Sequence, residues 1–109
     1  MAYYELKKAA SGQVHFNLKA GNHEVILTSE LYERKESALK GIASVQSNGI
    51  ERGNFEMRTA KDGSPYFVLK AQNGEVIGRS EMYSSLSAAE KGLASVIRNS
   101  AAEEIKELE

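Results

Sequence analysis

Two tetrapeptides carry the densest polar chemistry in this 109-residue chain: Ser29-Glu30-Leu31-Tyr32 and Ser80-Glu81-Met82-Tyr83. A hydroxyl, a carboxylate and a phenol so close together could line a groove and hydrogen-bond a ligand. The same residues also have a structural use. Serine can close a strand, glutamate can stay solvated, and tyrosine can pack its ring under a helix start with its hydroxyl at the surface. The structural use is preferred. Recurrence does not discriminate, because two copies of one unit inherit the same structural demand.

A second set is basic. Lys19 and Lys70, with Lys7, Arg58 and Arg79, fall on strand positions pointing away from the apolar ones, and His15, Tyr66 and Asn17 can join them. A sheet face mixing cations and aromatic rings is one way to hold single-stranded nucleic acid. Glu5, Glu56, Glu24 and Glu75 dilute that charge, and a solvated face is the preferred reading. The two histidines, His15 and His23, become Tyr66 and Gly74 in the other copy, so a histidine-pair metal site is not expected.

No phosphate-binding glycine loop, zinc-protease helix or nucleophile elbow is present. There are no cysteines, which removes disulfides, thiol catalysis and thiolate metal sites. No cofactor is expected. The balance of 14 basic to 15 acidic residues does not suggest a general polyanion or membrane binder. No apolar run approaches the length of a signal peptide or a membrane span. The expected location is the cytosol.

The elements that position these groups emerge from a repeat. Residues 4–48 align without a gap on residues 55–99, and nearly half the aligned positions are identical. Each unit reads as three strands and a helix. The strands are Tyr4–Lys8, Val14–Ala20 and Glu24–Thr28, repeated as Phe55–Thr59, Pro65–Ala71 and Glu75–Arg79. Asn73-Gly74 signals a two-residue hairpin, with Asn22-His23 as its weaker counterpart. That turn puts Phe16 opposite Ser29, Leu18 opposite Leu27 and Ala20 opposite Val25. The loop before strand two must then have odd length, and three residues ending in a left-handed Gly12 or Gly63 satisfy this. The apolar face collects Tyr4, Leu6, Phe16, Leu18, Ala20, Val25 and Leu27, and in the second copy Phe55, Met57, Phe67, Leu69, Ala71, Val76 and Gly78.

The helices fall at Lys35–Ser47 and Leu86–Arg98. Ala38, Gly41, Ile42 and Val45 form one stripe, repeated by Ala89, Gly92, Leu93 and Val96. A buried glycine in the stripe lets the helix approach what lies beneath it. Ser87 with Glu90 fits a capping box, with Ser84 or Ser85 as alternatives. Asn48 and Asn99 suit left-handed helix ends. Lys40 and Lys91 most simply flank the helices, with Lys40 on the exposed side.

A unit of this size is near the limit below which a domain rarely stands alone, so the two copies should pair. The expected fold is α+β: two tandem β-β-β-α repeats about a pseudo-twofold axis, one antiparallel sheet, and both helices on one face, each roofing its own strands. Residues 100–109 read as an acidic tail, helical or disordered. Leu108-Glu109 fits a cloning remnant and is given no role.

The paired signatures LKAGNHEVILTSELY with KGIASVQSN, and LKAQNGEVIGRSEMY with KGLASVIRN, resemble the bacterial YegP-like family of small uncharacterised proteins. The resemblance covers both repeats. It implies a single sheet built from tandem strand-strand-strand-helix units, with the segment after each helix exchanged between them, and dimers in single-repeat relatives. It implies no assigned reaction, cofactor or partner. His23 departs from the pattern, where the turn favours glycine. The functional expectation is a non-catalytic interaction or binding module, monomeric by default and of unidentified partner, with nucleic-acid binding as the alternative and an enzyme last. The candidate binding residues are Ser29, Glu30, Tyr32, Ser80, Glu81, Tyr83, Lys19 and Lys70.

Overall fold

The computed structural model describes residues 1–108. Glu109, part of the suggested remnant, lies outside them. Strands β1 (Tyr3–Lys8), β2 (Val14–Lys19) and β3 (Val25–Thr28) lead into helix α1 (Lys35–Asn48). Strands β4 (Phe55–Thr59), β5 (Pro65–Lys70) and β6 (Val76–Arg79) lead into α2 (Leu86–Asn99), and β7 (Ile105–Glu107) follows. The strands form one sheet in the order β4-β5-β6-β3-β2-β1-β7. The repeats meet in the middle, where Thr28 of β3 pairs antiparallel with Arg79 of β6.

The tail corrects the expectation. It is neither helical nor disordered from 105 to 107. It forms β7, which pairs parallel with β1, so the sheet is mostly rather than wholly antiparallel. The segment after α2 thus adds to the first repeat's outer strand. EEIKE shows no apolar alternation, and the strand exists because the edge of β1 offers it unpaired backbone groups.

Turn geometry also differs between β2 and β3. The Ala20 N–H donates to the Glu24 carbonyl and the His23 N–H to the Ala20 carbonyl, enclosing three residues rather than two. His23 is left-handed at φ 70°, as is Gly74 at φ 86°. The extra residue is absorbed by a bulge, so Lys19 pairs with Val25, and Lys70 with Val76. Val25 and Val76 therefore leave the apolar face, while Ile26 and Ile77 join the core. Phe16 against Ser29 and Leu18 against Leu27 hold as expected. The β1–β2 and β4–β5 loops are the three-residue form, with Gly12 at φ 92° and Gly63 at φ 91°.

Both helices cover one face, but each crosses into the other repeat. α1 rests on β2 and reaches β5 and β6, while α2 rests on β5 and reaches β3. The core is therefore shared, which is how two units too small to stand alone stabilise one another. Near the pseudo-twofold axis, Leu27 and its counterpart Gly78 break the symmetry. A Cβ at Gly78 would lie 2.7 Å from Leu27 Cδ2, so one leucine fills the space of two. Gly49 and Ser100 repeat the device, a Cβ at Gly49 falling 2.6 Å from that of Ser100.

The helix ends settle two further points. Ser85, not the Ser87–Glu90 box, caps α2, its hydroxyl accepting from the Ala88 N–H at 3.1 Å. Asn48 and Asn99 are not left-handed. Each is the last helical residue, and its amide donates back to the carbonyl of Ser44 or Ser95.

Candidate functional site

The two Ser-Glu-x-Tyr segments are pinned to the sheet by backbone geometry. Ser29 donates its N–H to the Phe16 carbonyl, and its hydroxyl accepts the Phe16 N–H at 2.9 Å while donating to the Glu30 carbonyl at 2.8 Å. Ser80 repeats the arrangement on Phe67 and Glu81. Three residues on, Tyr32 exchanges two 2.7 Å backbone bonds with Val14. Tyr83 keeps one, to the Pro65 carbonyl, because proline has no N–H to return. Both serine hydroxyls are thus committed to the backbone.

The tyrosine rings stack on the sheet. Tyr32 lies 6.2 Å from Phe16 at 11° between ring planes, and Tyr83 lies 6.2 Å from Phe67 at 12°. Each ring ends against the helix glycine. A Cβ at Gly92 would stand 2.6 Å from Tyr83 Cζ and closer still to its hydroxyl. At Gly41 it would meet the Tyr32 hydroxyl, Cζ at 2.8 Å and Phe16 Cε2 at 3.0 Å. The glycines thus make room for a tyrosine rather than for the sheet backbone. Burial pushes both phenols above their ordinary pKa, and carboxylates add to it: Glu30 and Glu75 for Tyr32, Glu81 and Glu24 for Tyr83. Each tyrosine feels one carboxylate from the opposite repeat's hairpin. Glu30 is exposed, 3.7 Å from Arg79, and Glu81 is exposed as well.

Lys19 and Lys70 are engaged by carboxylates on the helix-free face. Glu5 holds Lys19 at 3.0 Å and Lys7 at 3.2 Å, and Glu56 holds Lys70 at 2.6 Å and Arg58 at 2.8 Å. Burial pushes the Glu5 carboxyl up, but hydrogen bonds from Lys19 and Lys7 outweigh it and leave it below the ordinary range. Glu56, nearly half exposed, is drawn down to about 2 by Lys70 and Arg58. The displaced carboxylates, Asp62 included, all move down, opposite to the direction a general acid requires. Among the described residues no group of three or more His, Asp or Glu side chains could hold a metal. Among the same residues no helix is long and apolar enough to cross a membrane.

Neither of two cavities is lined by the Ser-Glu-x-Tyr residues or by Lys19 and Lys70. One, of about 520 Å³, lies where Lys7, Lys8, Arg34 and Lys35 mix with Glu33, Glu36 and Glu107. The other, of about 310 Å³, lies beside β4 and is lined by Phe55, Met57, Leu86 and Leu93, with Arg52 and Glu90 paired at its rim. The sequence reading missed this second place. The available signal was Leu86, an apolar residue at a helix start where the first copy has Lys35. The reason for the cavity is plain from the equivalent strands. In β1, Tyr3, Tyr4, Glu5 and Leu6 are all buried, and in β4, Phe55, Glu56, Met57 and Arg58 are all half-buried. β7 covers the outer side of β1, whereas β4 pairs only with β5 among the described residues.

Comparison with known proteins turns on this two-unit frame. A family described as a domain of unknown function, DUF1508, matches residues 9–56 and again 60–107. The chain belongs to the DUF1508 family. The matched segments keep the spacing of the two repeats but start one strand later, so the family frame is strand-strand-helix-strand. Curated members of similar sequence include a UPF0339 protein of Pasteurella multocida, 56% identical over 99% of this chain and 95% of the relative. YegP of Yersinia pestis is 54% identical over 99% and 96%. Solution structures of a UPF0339 protein of Shewanella oneidensis and of YegP of E. coli superpose with a TM-score of 0.92 at 48% identity, over 98% and 97% of this chain and 91% of each of theirs. The YegP-like fold is thereby established. The DUF1508 relatives are uncharacterised, and no enzyme family is indicated.

Proposed function

We propose that this DUF1508 protein is a non-catalytic interaction module, a cytosolic monomer that binds a partner protein on the open side of its second repeat. The supporting observation is the contrast between β1 and β4, which occupy equivalent places in the two repeats but are buried in one and half-buried in the other. Around β4, Leu86 is 58% exposed beside half-buried Phe55 and Met57. Apolar surface left in water at an unpaired strand edge favours association.

The test is a photo-crosslinking side chain at position 86, with position 31 as control, in bacterial cells. Leu31 is similarly exposed, at 54%, but lies in the Ser-Glu-Leu-Tyr segment. The proposal expects adducts from position 86 and few from 31. Equal yields from both positions would remove it. The alternative, nucleic acid on the helix-free face, draws on the cations Lys7, Lys19, Arg58, Lys70 and Arg79. Five of five are tied to Glu5, Glu56 or Glu30, which leaves few free charges for phosphates. Amide shifts on that face with a ribonucleotide oligomer at low salt would favour this alternative instead.

A further inference from the structure

We infer that the edge of β4 takes an extended segment of a partner protein as a parallel eighth strand, with apolar side chains at alternate positions facing α2. The inference rests on the reading just proposed and specifies its geometry.

The protein carries its own template. β7 lies on β1 with Ile105 beside Tyr4, Lys106 beside Glu5 and Glu107 beside Leu6. The Tyr4 N–H donates to the Glu104 carbonyl at 2.9 Å, and the Leu108 N–H to the Leu6 carbonyl at 2.8 Å. Side chains alternate in direction along the strand. Lys106 lies over the Tyr3 ring at 4.2 Å, on the helix-free face, and Glu107 turns the other way to meet Lys35 of α1 at 2.7 Å. The Tyr4 hydroxyl anchors the approach by donating to the Ser100 carbonyl.

The corresponding place on β4 stays empty because of chain length. After α2 the chain runs on to lay β7 outside β1. After α1 it has only residues 49–54, including a short 3-10 turn at Arg52–Asn54, before it becomes β4 itself. It cannot both lay down an outer strand and return. Yet β4 matches β1 in register: Met57 stands opposite Phe67 as Leu6 stands opposite Phe16. Its backbone therefore presents the groups that β7 uses on β1. The exception is the Phe55 N–H, already donated to the Arg52 carbonyl, so an incoming ladder begins at the Phe55 carbonyl.

The side chains around the edge define the occupant. The position equivalent to Ile105 would lie over Phe55, and the position equivalent to Glu107 would face Leu86, which replaces the Lys35 that Glu107 needs. A carboxylate there would lose the Lys35 partner and lie beside leucine, with Arg52 already paired to Glu90, whereas an apolar side chain would cover Leu86. The fitting pattern is apolar-x-apolar. This chain's tail reads Ile105-Lys106-Glu107, so a second copy's tail is the wrong occupant. Strand addition of this kind gives affinity through the backbone and specificity through alternate side chains.

The test uses isotope-labelled full-length protein and two synthetic peptides spanning residues 102–108, one native and one with Glu107→Leu. The Leu peptide should shift the amides of Phe55, Met57, Thr59 and Leu86 and leave Tyr4 and Leu6 in place. The native peptide should bind about tenfold more weakly. Met57→Pro, tolerated on an edge strand where the N–H points outward, should abolish binding while the rest of the spectrum keeps its dispersion. Leu86→Lys, which rebuilds the first repeat's environment, should reverse the preference in favour of the native peptide. The inference would be overturned by no shifts at about 1 mM peptide, by unchanged binding in Met57→Pro, or by the same preference in Leu86→Lys. Crosslinking at position 86 that survives Met57→Pro would keep the interaction module and remove the added strand. A concentration-dependent dimer lost in Met57→Pro would assign the edge to a second copy and overturn the partner.

Discussion

Replacing Gly92 with alanine should destabilise the protein, and the reason can be isolated. Alanine gains about 1 kcal/mol over glycine in a helix interior. Against this, the new Cβ would sit 2.6 Å from Tyr83 Cζ and 3.2 Å from Cε1, well inside contact distance. Its three nearest neighbours are all atoms of Tyr83, so the clash belongs to one side chain. Overpacking of this kind costs about 1–3 kcal/mol, through strain or through loss of the Tyr83–Phe67 stack as the ring swings out. The net expectation is a loss of about 1 kcal/mol, or about 4–8 °C in Tm. With Tyr83→Leu the obstacle is gone, and Gly92→Ala should then stabilise by about 0.5–1 kcal/mol. The cycle should yield a coupling near 2 kcal/mol, within the range for residues in contact. Urea denaturation of the four proteins measures it. A gain from alanine of equal size in both backgrounds would refute the reasoning. Gly41→Ala should cost more, because Phe16 at 3.0 Å is a second and less mobile neighbour.

Other expectations test the remaining packing and charge arrangements. Gly78→Leu should cost about 1–3 kcal/mol by collision with Leu27, and adding Leu27→Gly should recover most of it, as calorimetry would show. Ser29→Ala should cost about 1–3 kcal/mol, because it leaves the buried Phe16 N–H without its acceptor, and Ser80→Ala should match it. Glu56 has a folded-state pKa of about 2 against an ordinary value of 4.5, so its stabilising contribution is present above pH 4.5 and lost as pH falls toward 2. Glu56→Gln should therefore flatten the dependence of Tm on pH in that interval and leave the profile above pH 6 parallel to the parent protein.

Much of the architecture can be read in the sequence because its signals are local. Alternation of Phe16 and Leu18, the stripe through Ala38, Ile42 and Val45, and glycines closing three-residue loops each depend on neighbours in the chain. What could not be read depends on tertiary context. β7 has no strand pattern of its own and forms because β1 has an edge to share. Asn-Gly marks a turn but not its length, and the extra residue sent Val25 and Val76 to the other face. The Tyr32 and Gly41 signals sit in separate motifs and become one feature only where the helix crosses the ring. Of the candidate site, the serines proved committed to the backbone and the lysines to Glu5 and Glu56. The open side of β4 escaped notice because what defines it is a covering strand present on one repeat and missing from the other.

That difference can be measured directly by amide hydrogen exchange in the free protein. Leu6 lies between β2 and β7, and among the described residues Met57 has β5 on one side only. If the edge of β4 is open, the Met57 amide should exchange faster than the Leu6 amide by about tenfold or more. Equal protection at the two positions, at a concentration where light scattering shows a monomer, would mean that β4 is covered, and the account would be wrong.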